Sequence, residues 1–350
     1  MSPGAAEGQR HVRPTTRGNI SPNSTGPLKS EGVVARRGLP VADALHPPAS
    51  ARRFPDGAHF RVEIPSVENL RVLEAVLAAA RERDVVVNRV SQGSGAMLLG
   101  EAELRELAAA AAEAGVEVSL FVGPREGYGV GAHPRSADGS AHAAQIRGMR
   151  GLAYAVEDVA RASEAGIRSF LIADVGLLTL LVDMQAADEL PADCCWKISV
   201  AMAPSNPAAL AVLEALGATT VNIPSDVTVA ELGELRAATV LPIDLYVESP
   251  DSLGGVVRGN ETADLVAVGA PLYAKFGLRN SRPLYPAGEH LVEEAVAIAR
   301  EKVARAAVAL EWIDRLDPSL IQSAPGAAGL RVPSPDFVSL STSALPTSPT

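Results

Sequence analysis

Three charged residues fall on stretches of the sequence that otherwise have the composition of buried strands. Glu63 lies within FRVEIPS, Glu248 lies near the end of IDLYVES, and Lys275 lies within LYAKFG. Burial of a carboxylate or an amine without a partner costs several kcal/mol, so these residues indicate a paired, functional network. Two carboxylates suit acid–base catalysis, and a lysine suits a Schiff-base amine, an electrophile or a charge stabiliser. We therefore predict that Glu63, Glu248 and Lys275 are catalytic.

A second group of polar residues is predicted to bind the substrate. They stand on predicted strands, in the turns that follow them, or in one long loop: Asn88, Gln92, Arg125, His133, Arg135, Asp174, Lys197, Asn222, Tyr246 and Arg279. A purely structural interpretation stays open for Glu63 and for several residues of this second group. Glu63 would then pair with Arg61, Lys197 or Lys275 to neutralise a layer of side chains, and Asp174 would cap the helix that follows it.

Two connections between predicted elements are suited to holding an anion. The loop from Gly123 to Arg150 is longer than about 20 residues, and loops of this length inside a compact domain are often functional. Its arginines favour a lid that closes on an anionic substrate, with a solvated excursion as the alternative. The small residues of Ser91–Gly95 would let backbone N–H groups approach a phosphate or carboxylate, with a tight turn as the alternative.

The sequence assigns no metal site and no cofactor. His133, Asp138 and His142 share the long loop, but their spacing matches no established metal-binding motif. The motifs HExxH, GxSxG and GxGxxG are also absent from the sequence. A divalent metal therefore remains open as a cofactor, with no ligands assigned to it.

Strand-like and helix-like runs alternate eight times between Phe54 and Leu316. The predicted strands are Phe60–Ser66, Val85–Gln92, Val116–Gly123, Arg168–Asp174, Lys197–Met202, Thr219–Ser225, Ile243–Ser249 and Leu272–Gly277. Eight βα units over roughly 250 residues are typical of a (β/α)8 TIM barrel, an α/β fold whose active site lies at the carboxyl ends of the strands. An open doubly wound sheet is the alternative.

The segments on either side of the predicted barrel have a different composition. Residues 1–53 are rich in Gly, Pro, Ser and Arg and carry eight Lys/Arg against three Asp/Glu, so we predict a disordered basic arm. Residues 317–350 are rich in Pro, Ser and Thr, so we predict a disordered tail there. The barrel domain is accordingly predicted to span residues 54–316.

Charge and composition restrict the classes of partner. The net charge of -10 and the 4% aromatic content argue against nucleic acid. The sequence shows no membrane-spanning stretch and no secretory signal, so we expect a cytoplasmic protein that acts on a small molecule or a peptide. A homo-oligomer stays open.

Four segments of the sequence resemble a known family. They are NRVSQGSGAMLL, VNIPSDVTVAELGELR, LYVESPDSLGGVVR and LYAKFGLRNSRPLYPAGEHL. These segments resemble an uncharacterised branch of the peptidase U-32-like barrel proteins, over about His59 to Leu310. The resemblance implies a TIM barrel and, by the family label, a peptidase or other hydrolase. Several members bind an iron–sulfur cluster through four cysteines, but this chain has only Cys194 and Cys195, so no cluster is expected.

Overall fold

The computed structural model describes residues 31–39, 47–123, 126–129 and 131–334. The chain divides into a unit that ends at Val41 and a larger unit that begins at Ala42. In the first unit, the described residues form one short helix, α1 (Glu31–Ala35). Residues 1–30 and 40–46 of the predicted arm lie outside the described residues. Residues 47–53 contact the barrel, where the Ser50 N–H donates to the carbonyl of Ala267 at 2.7 Å.

Eight parallel strands close into a barrel in the larger unit. Each strand pairs with the next one along the chain, and the eighth pairs with the first. The strands are β1 (Phe60–Pro65), β2 (Arg89–Gln92), β3 (Glu117–Phe121), β4 (Ser169–Ile172), β5 (Cys195–Ile198), β6 (Thr220–Asn222), β7 (Ile243–Glu248) and β8 (Leu272–Phe276). The predicted (β/α)8 TIM barrel is therefore confirmed.

Helices fill the connections between the strands. They are α2 (Leu70–Glu82), α3 (Glu101–Ala114), α4 (Gly148–Glu164), α5 (Val175–Ala186), α6 (Pro207–Ala215), α7 (Val229–Ala238), α8 (Thr262–Gly269) and α9 (Val292–Leu316). Polar side chains cap the amino-terminal ends of several of these helices. Asn206 accepts from the N–H of Ala209 ahead of α6, and Thr228 forms a capping box with Glu231 ahead of α7.

The fifth strand is displaced from its predicted position. The apolar run predicts a strand over Lys197–Met202, but β5 starts two residues earlier and ends at Ile198. The Ser199 hydroxyl accepts from the N–H of Ala201 and starts a 3-10 turn over Val200–Met202, which ends the strand early. Lys197 therefore lies inside the barrel wall rather than at its edge.

The two faces of the strands differ in chemistry. Outward-facing residues such as Val62, Ile64 and Val118 are apolar and belong to the main hydrophobic core between strands and helices. The residues that alternate with them point into the barrel, and many of these carry charge. Most TIM barrels instead fill the interior with branched apolar side chains.

The segment after α9 closes the amino-terminal end of the barrel. We predicted a disordered tail from residue 317, but residues 317–334 pack against the barrel, so the barrel unit extends beyond the predicted boundary at Leu316. Gln322 bridges to Phe60, and the Arg61 guanidinium donates to the Ser323 hydroxyl at 3.0 Å and to the carbonyl of Ala328 at 2.7 Å. Buried donors inside the barrel thus find their acceptors on this segment. Residues 335–350 lie outside the described residues.

Candidate functional site

The interior of the barrel holds an extended network of buried charged side chains. Lys197 on β5 reaches Glu63 on β1, and Arg89 on β2 reaches Asp244 on β7. These strands are not neighbours in the barrel, so the contacts run across its interior. The charged residues of this network are Arg61, Glu63, Arg89, Glu117, Lys197, Asp244 and Lys275, and all of them are buried.

Glu63 is the centre of this network. Its carboxylate accepts from Lys197 Nζ at 2.6 and 2.7 Å, from Arg89 Nε at 2.8 Å and from the Ser91 hydroxyl at 2.8 Å. Lys275 Nζ lies 3.4 Å from the same carboxylate. One carboxylate therefore holds two lysines and one arginine. Two further negative charges lie nearby: Asp244, which contacts Arg89 and lies 3.8 Å from Lys197 Nζ, and Glu117, which lies 3.5 Å from Arg89.

Burial and neighbouring charges shift the titration of this network. Burial by itself would raise the pKa of Glu63, but Arg89, Lys197 and Lys275 together hold this pKa well below its usual range. Burial lowers the pKa of Lys197 and of Lys275, and Arg89 lowers both further, while Glu63 opposes the shift. A buried lysine with a lowered pKa provides more neutral amine at physiological pH, which is the nucleophilic form.

Lys275 joins the network to the carboxyl end of the barrel. Its ammonium donates to the side-chain oxygen of Asn222 at the end of β6 and lies 4.5 Å from the centre of the Tyr246 ring. Asn222 and Tyr246 both line a cavity of about 390 Å³ among the turns after β5, β6 and β7, which we call the Asn222 cavity. Lys275 itself is only 3% exposed, so its side chain lies directly beneath this cavity rather than in it.

Glu248 does not join Glu63 and Lys275. A register shift between Tyr246 and Glu248 interrupts the alternation of β7. The Glu248 carboxylate accepts instead from the backbone N–H of Arg279 at 3.0 Å and lies 3.6 Å from Arg305 Nε on α9. The partners of Glu248, a predicted catalytic residue, are therefore Arg279 and Arg305 rather than Glu63 or Lys275, and Glu248 braces the turn after β8. The Arg279 side chain is exposed.

Asn88 and Gln92 are engaged within the protein at opposite ends of β2. Asn88 precedes the strand, at the end away from the Asn222 cavity. Its side chain accepts from the N–H of Val62 at 2.9 Å and donates to the carbonyl of Ser323 at 2.9 Å. Gln92 ends the strand and exchanges two hydrogen bonds with the backbone of Gly95. Asn88 therefore lies away from the predicted substrate site, and Gln92 stabilises a turn.

The predicted anion cradle after β2 is occupied by a side chain of the protein. The backbone N–H groups of Gly93 and Ser94 donate to the two carboxylate oxygens of Glu68, at 2.9 and 3.1 Å. The alternative of a tight turn fits this arrangement. The carboxylate that these N–H groups hold is internal to the protein, whereas the sequence predicted that of a ligand.

The loop after β3 lies over a different part of the barrel. Arg125 lies outside the described residues. His133 stacks on His142 with ring centres 5.7 Å apart, and Arg135 donates to the carbonyl of Gly129 at 3.2 Å. Asp174 caps α5 through the N–H of Leu177, as the structural alternative predicted, and also accepts from the N–H of Ile146 at 3.1 Å. No described contact joins these residues to Glu63 or Lys275.

The structure adds residues that the sequence analysis did not assign to a site: Arg89, Glu117 and Asp244 in the central network, and Lys302 on α9. Lys302 is 3% exposed and lines a second cavity of about 390 Å³, which lies among the turns after β1, β7 and β8 and which we call the Lys302 cavity. The two cavities share Tyr246, Ser252 and Leu253. Among the described residues, no group of three or more His, Cys, Asp or Glu side chains is placed to hold a metal ion.

The rarity of lysine is the sequence signal that would have found Lys302. The chain carries 31 basic residues, of which only Lys29, Lys197, Lys275 and Lys302 are lysines. The last three are all buried. Arginine stays charged at any accessible pH, whereas a buried lysine can become neutral. A chain that otherwise uses arginine thus keeps lysine at three interior positions, two of them in the central network.

Replacement of Lys302 by Met is expected to stabilise the protein, most strongly near neutral pH. Burial lowers the pKa of Lys302 from 10.5 to about 8. Between these values the unfolded chain binds more protons than the folded chain, so the stability of the unmodified protein rises with pH across this interval. At roughly 1.4 kcal/mol per pKa unit, the stability advantage of Lys302→Met should fall by about 3 kcal/mol on passing from pH 7 to above pH 10. Urea unfolding of both proteins at several pH values measures this difference in the free energy of unfolding. A difference that does not change with pH would contradict the lowered pKa of Lys302.

No helix within the described residues combines the length and the hydrophobicity needed to cross a membrane. No family model matches the chain, and no curated protein matches it.

Several solved structures are similar to this chain at low sequence identity. A U32 peptidase is 16% identical over 57% of this chain and 73% of its own, with a TM-score of 0.35. CutC from Streptococcus agalactiae, a provisionally assigned copper homeostasis protein, is 14% identical over 61% and 98%, with a TM-score of 0.43. Orotidine 5'-monophosphate decarboxylase from Methanocaldococcus jannaschii is 12% identical over 74% and 99%, with a TM-score of 0.40. All three TM-scores are below 0.5, so these similarities carry no argument about the activity of this chain.

Proposed function

We propose that the protein is an enzyme that acts on a small anionic carbonyl compound at the carboxyl end of the barrel, with Lys275 as the reactive amine. The observation that carries this proposal is the position of Lys275. It shares the Glu63 carboxylate with Lys197, and its other partner, Asn222, lines an open cavity. Asn222 and Tyr246 would orient the substrate above the amine.

The reaction would begin with a Schiff base. The neutral Lys275 amine attacks the carbonyl carbon, a C–N bond forms, and the carbonyl oxygen leaves as water with the two amine protons. Glu63, 3.4 Å from Lys275 Nζ, is placed to relay those protons, and Lys197 and Arg89 keep its carboxylate ionised. Once the Schiff base on Lys275 is protonated, and with Lys197 also protonated, the seven charged positions of the central network carry four positive and three negative charges. This excess of one positive charge favours an anionic substrate.

A barrel that binds a ligand without chemistry is the second candidate. It is favoured by the engagement of Glu63, whose oxygens already accept from three side chains. Peptidase activity rests on the sequence resemblance, because the solved U32 peptidase is similar to this chain only at the level of the fold.

Reductive trapping tests the enzyme proposal. The protein is incubated with pyruvate, glyoxylate or dihydroxyacetone phosphate and sodium cyanoborohydride, and adducts are located by intact mass and peptide mapping. With four lysines in the chain, the assignment is direct. We expect one adduct, on Lys275, that is lost in Lys275→Met and kept in Lys302→Met. Absence of an adduct with every carbonyl probe, or an adduct that persists in Lys275→Met, would contradict the proposal.

A further inference from the structure

We propose that the Lys302 cavity is a separate ligand site that binds an apolar molecule carrying one carboxylate group. This proposal concerns binding alone and does not depend on amine chemistry at Lys275. It follows from the lining of the cavity, from the hydrogen bonds of Lys302 and from the charges around it.

The lining of the Lys302 cavity is mostly apolar. It includes Pro65, Leu253, Leu278, Pro283, Leu284 and Ile298. At about 390 Å³, the cavity falls within the size range of small-molecule sites. An alkyl chain or a small ring would bury apolar surface against these side chains.

The roof of the cavity, formed by Pro283, Leu284 and Tyr285, is fixed by specific contacts with the turns after β1 and β2. The Tyr285 hydroxyl lies 2.6 Å from the Ser66 hydroxyl, and the Ala287 N–H donates to the Ser94 hydroxyl at 2.7 Å. The Tyr285 ring lies so close to Gly93 that any side chain at this position would overlap it. Gly93 therefore permits the close approach of the Tyr285 ring to the turn after β2. The sequence analysis did not assign this role to the small residues of Ser91–Gly95.

Lys302 supplies the only buried cation among the lining residues. Its ammonium has three N–H groups, and the structure gives it one acceptor, the carbonyl of Pro65 at 2.7 Å. The negative charge that raises the pKa of Lys302 is that of Glu68, whose two oxygens are already held by the N–H groups of Gly93 and Ser94. Within the described residues, Lys302 forms no salt bridge. A carboxylate of a ligand would supply the acceptors that the ammonium lacks.

The surrounding charges favour one carboxylate over a more highly charged group. Arg282, the other cation of the lining, is exposed at the rim and lies 3.4 Å from Glu294. Asp251 also lines the cavity and would repel a second negative charge. A phosphate dianion would therefore be neutralised less completely at this site than a carboxylate.

Calorimetric titration with sodium octanoate tests the proposal on the full chain. Octanol provides the same chain without the charge, and acetate provides the charge without the chain. Lys302→Met removes the ammonium, and Ser281→Trp fills the cavity while keeping the ammonium. Arg300→Met is the matched control, because it removes a cation from the exposed face of the same helix, where Arg300 pairs with Glu82.

We expect octanoate to bind the unmodified protein and Arg300→Met equally. Binding should weaken by more than about tenfold in Lys302→Met and in Ser281→Trp, and octanol and acetate should bind more weakly than octanoate by at least a similar factor. The proposal fails if octanoate does not bind, if octanol binds as well as octanoate, or if Lys302→Met retains full affinity. Octanoate contains neither a ketone nor an aldehyde group, so it does not form a Schiff base with a lysine. The result of this titration is therefore independent of the result of the trapping experiment.

Discussion

Replacement of Glu63 by Gln is expected to lower the free energy of unfolding by about 3–5 kcal/mol, the usual cost of removing one partner from a buried ion pair. The carboxylate is fully buried and accepts from Arg89, Lys197 and Ser91, with Lys275 close by. Without it, the remaining carboxylates near the three buried cations are Asp244, which contacts Arg89 and lies 3.8 Å from Lys197 Nζ, and Glu117, which lies 3.5 Å from Arg89. The two lysines can lose their protons, but the arginine cannot. Urea unfolding at neutral pH measures the loss.

Two further variants separate the loss of this charge from a general effect of substitution. Glu101→Gln removes an exposed carboxylate that pairs with Arg105 on α3, and it should cost at most about 0.5 kcal/mol. Lys197→Met in the Glu63→Gln background removes one uncompensated cation, so the double variant should be more stable than Glu63→Gln alone. Stability of Glu63→Gln within about 1 kcal/mol of the unmodified protein would contradict the importance assigned to this network.

Removal of residues 317–350 is expected to destabilise the barrel by about 4–6 kcal/mol. Two buried leucines are lost with the segment, and a buried guanidinium loses hydrogen bonds. Leu320 and Leu330 are both buried against the barrel. Arg61 would lose its acceptors Ser323 and Ala328 while its Nη1 kept the Tyr273 hydroxyl. The cost arises at the end of the barrel opposite the Asn222 cavity.

A shorter truncation provides the matched control. Removal of residues 335–350 leaves every one of these contacts in place, so its thermal midpoint should equal that of the full chain. If both truncated proteins unfold at the same temperature, residues 317–334 do not stabilise the barrel and our prediction is wrong. That result would then support the sequence-based prediction of a tail that begins at residue 317.

The barrel was predictable because its outward faces obey a simple rule. Strands such as β1 alternate Val62 and Ile64, which pack against helices, with Arg61 and Glu63, which face inward. The packing of residues 317–334 against the barrel was not predictable from composition. A Pro- and Ser-rich segment becomes ordered here because its oxygen atoms accept hydrogen bonds from buried donors of the barrel. Arg61 provides such donors, but their position became evident only once the strands were in register.

The site was predictable where residues lie on regular strands. Glu63, Lys197, Asn222 and Lys275 come together because each occupies an inward position on its strand. Glu248 does not reach Glu63 or Lys275, because the register shift in β7 interrupts the alternation of inward-facing and outward-facing side chains. Sequence periodicity does not reveal such irregularities. Lys302 was missed because it lies on a helix, where a single lysine is ordinarily an exposed residue.

The proposed chemistry requires Lys275 to be a buried amine with a lowered pKa beneath the Asn222 cavity. Nuclear magnetic resonance of the protein labelled with ¹⁵N-lysine measures this pKa, because the chain has only four lysines and the Lys275 signal is identified by its loss in Lys275→Met. We expect this amine to titrate clearly below the ordinary lysine value of 10.5. Titration at or above 10.5 would contradict the proposed chemistry and leave Lys275 as a permanent cation that only neutralises Glu63.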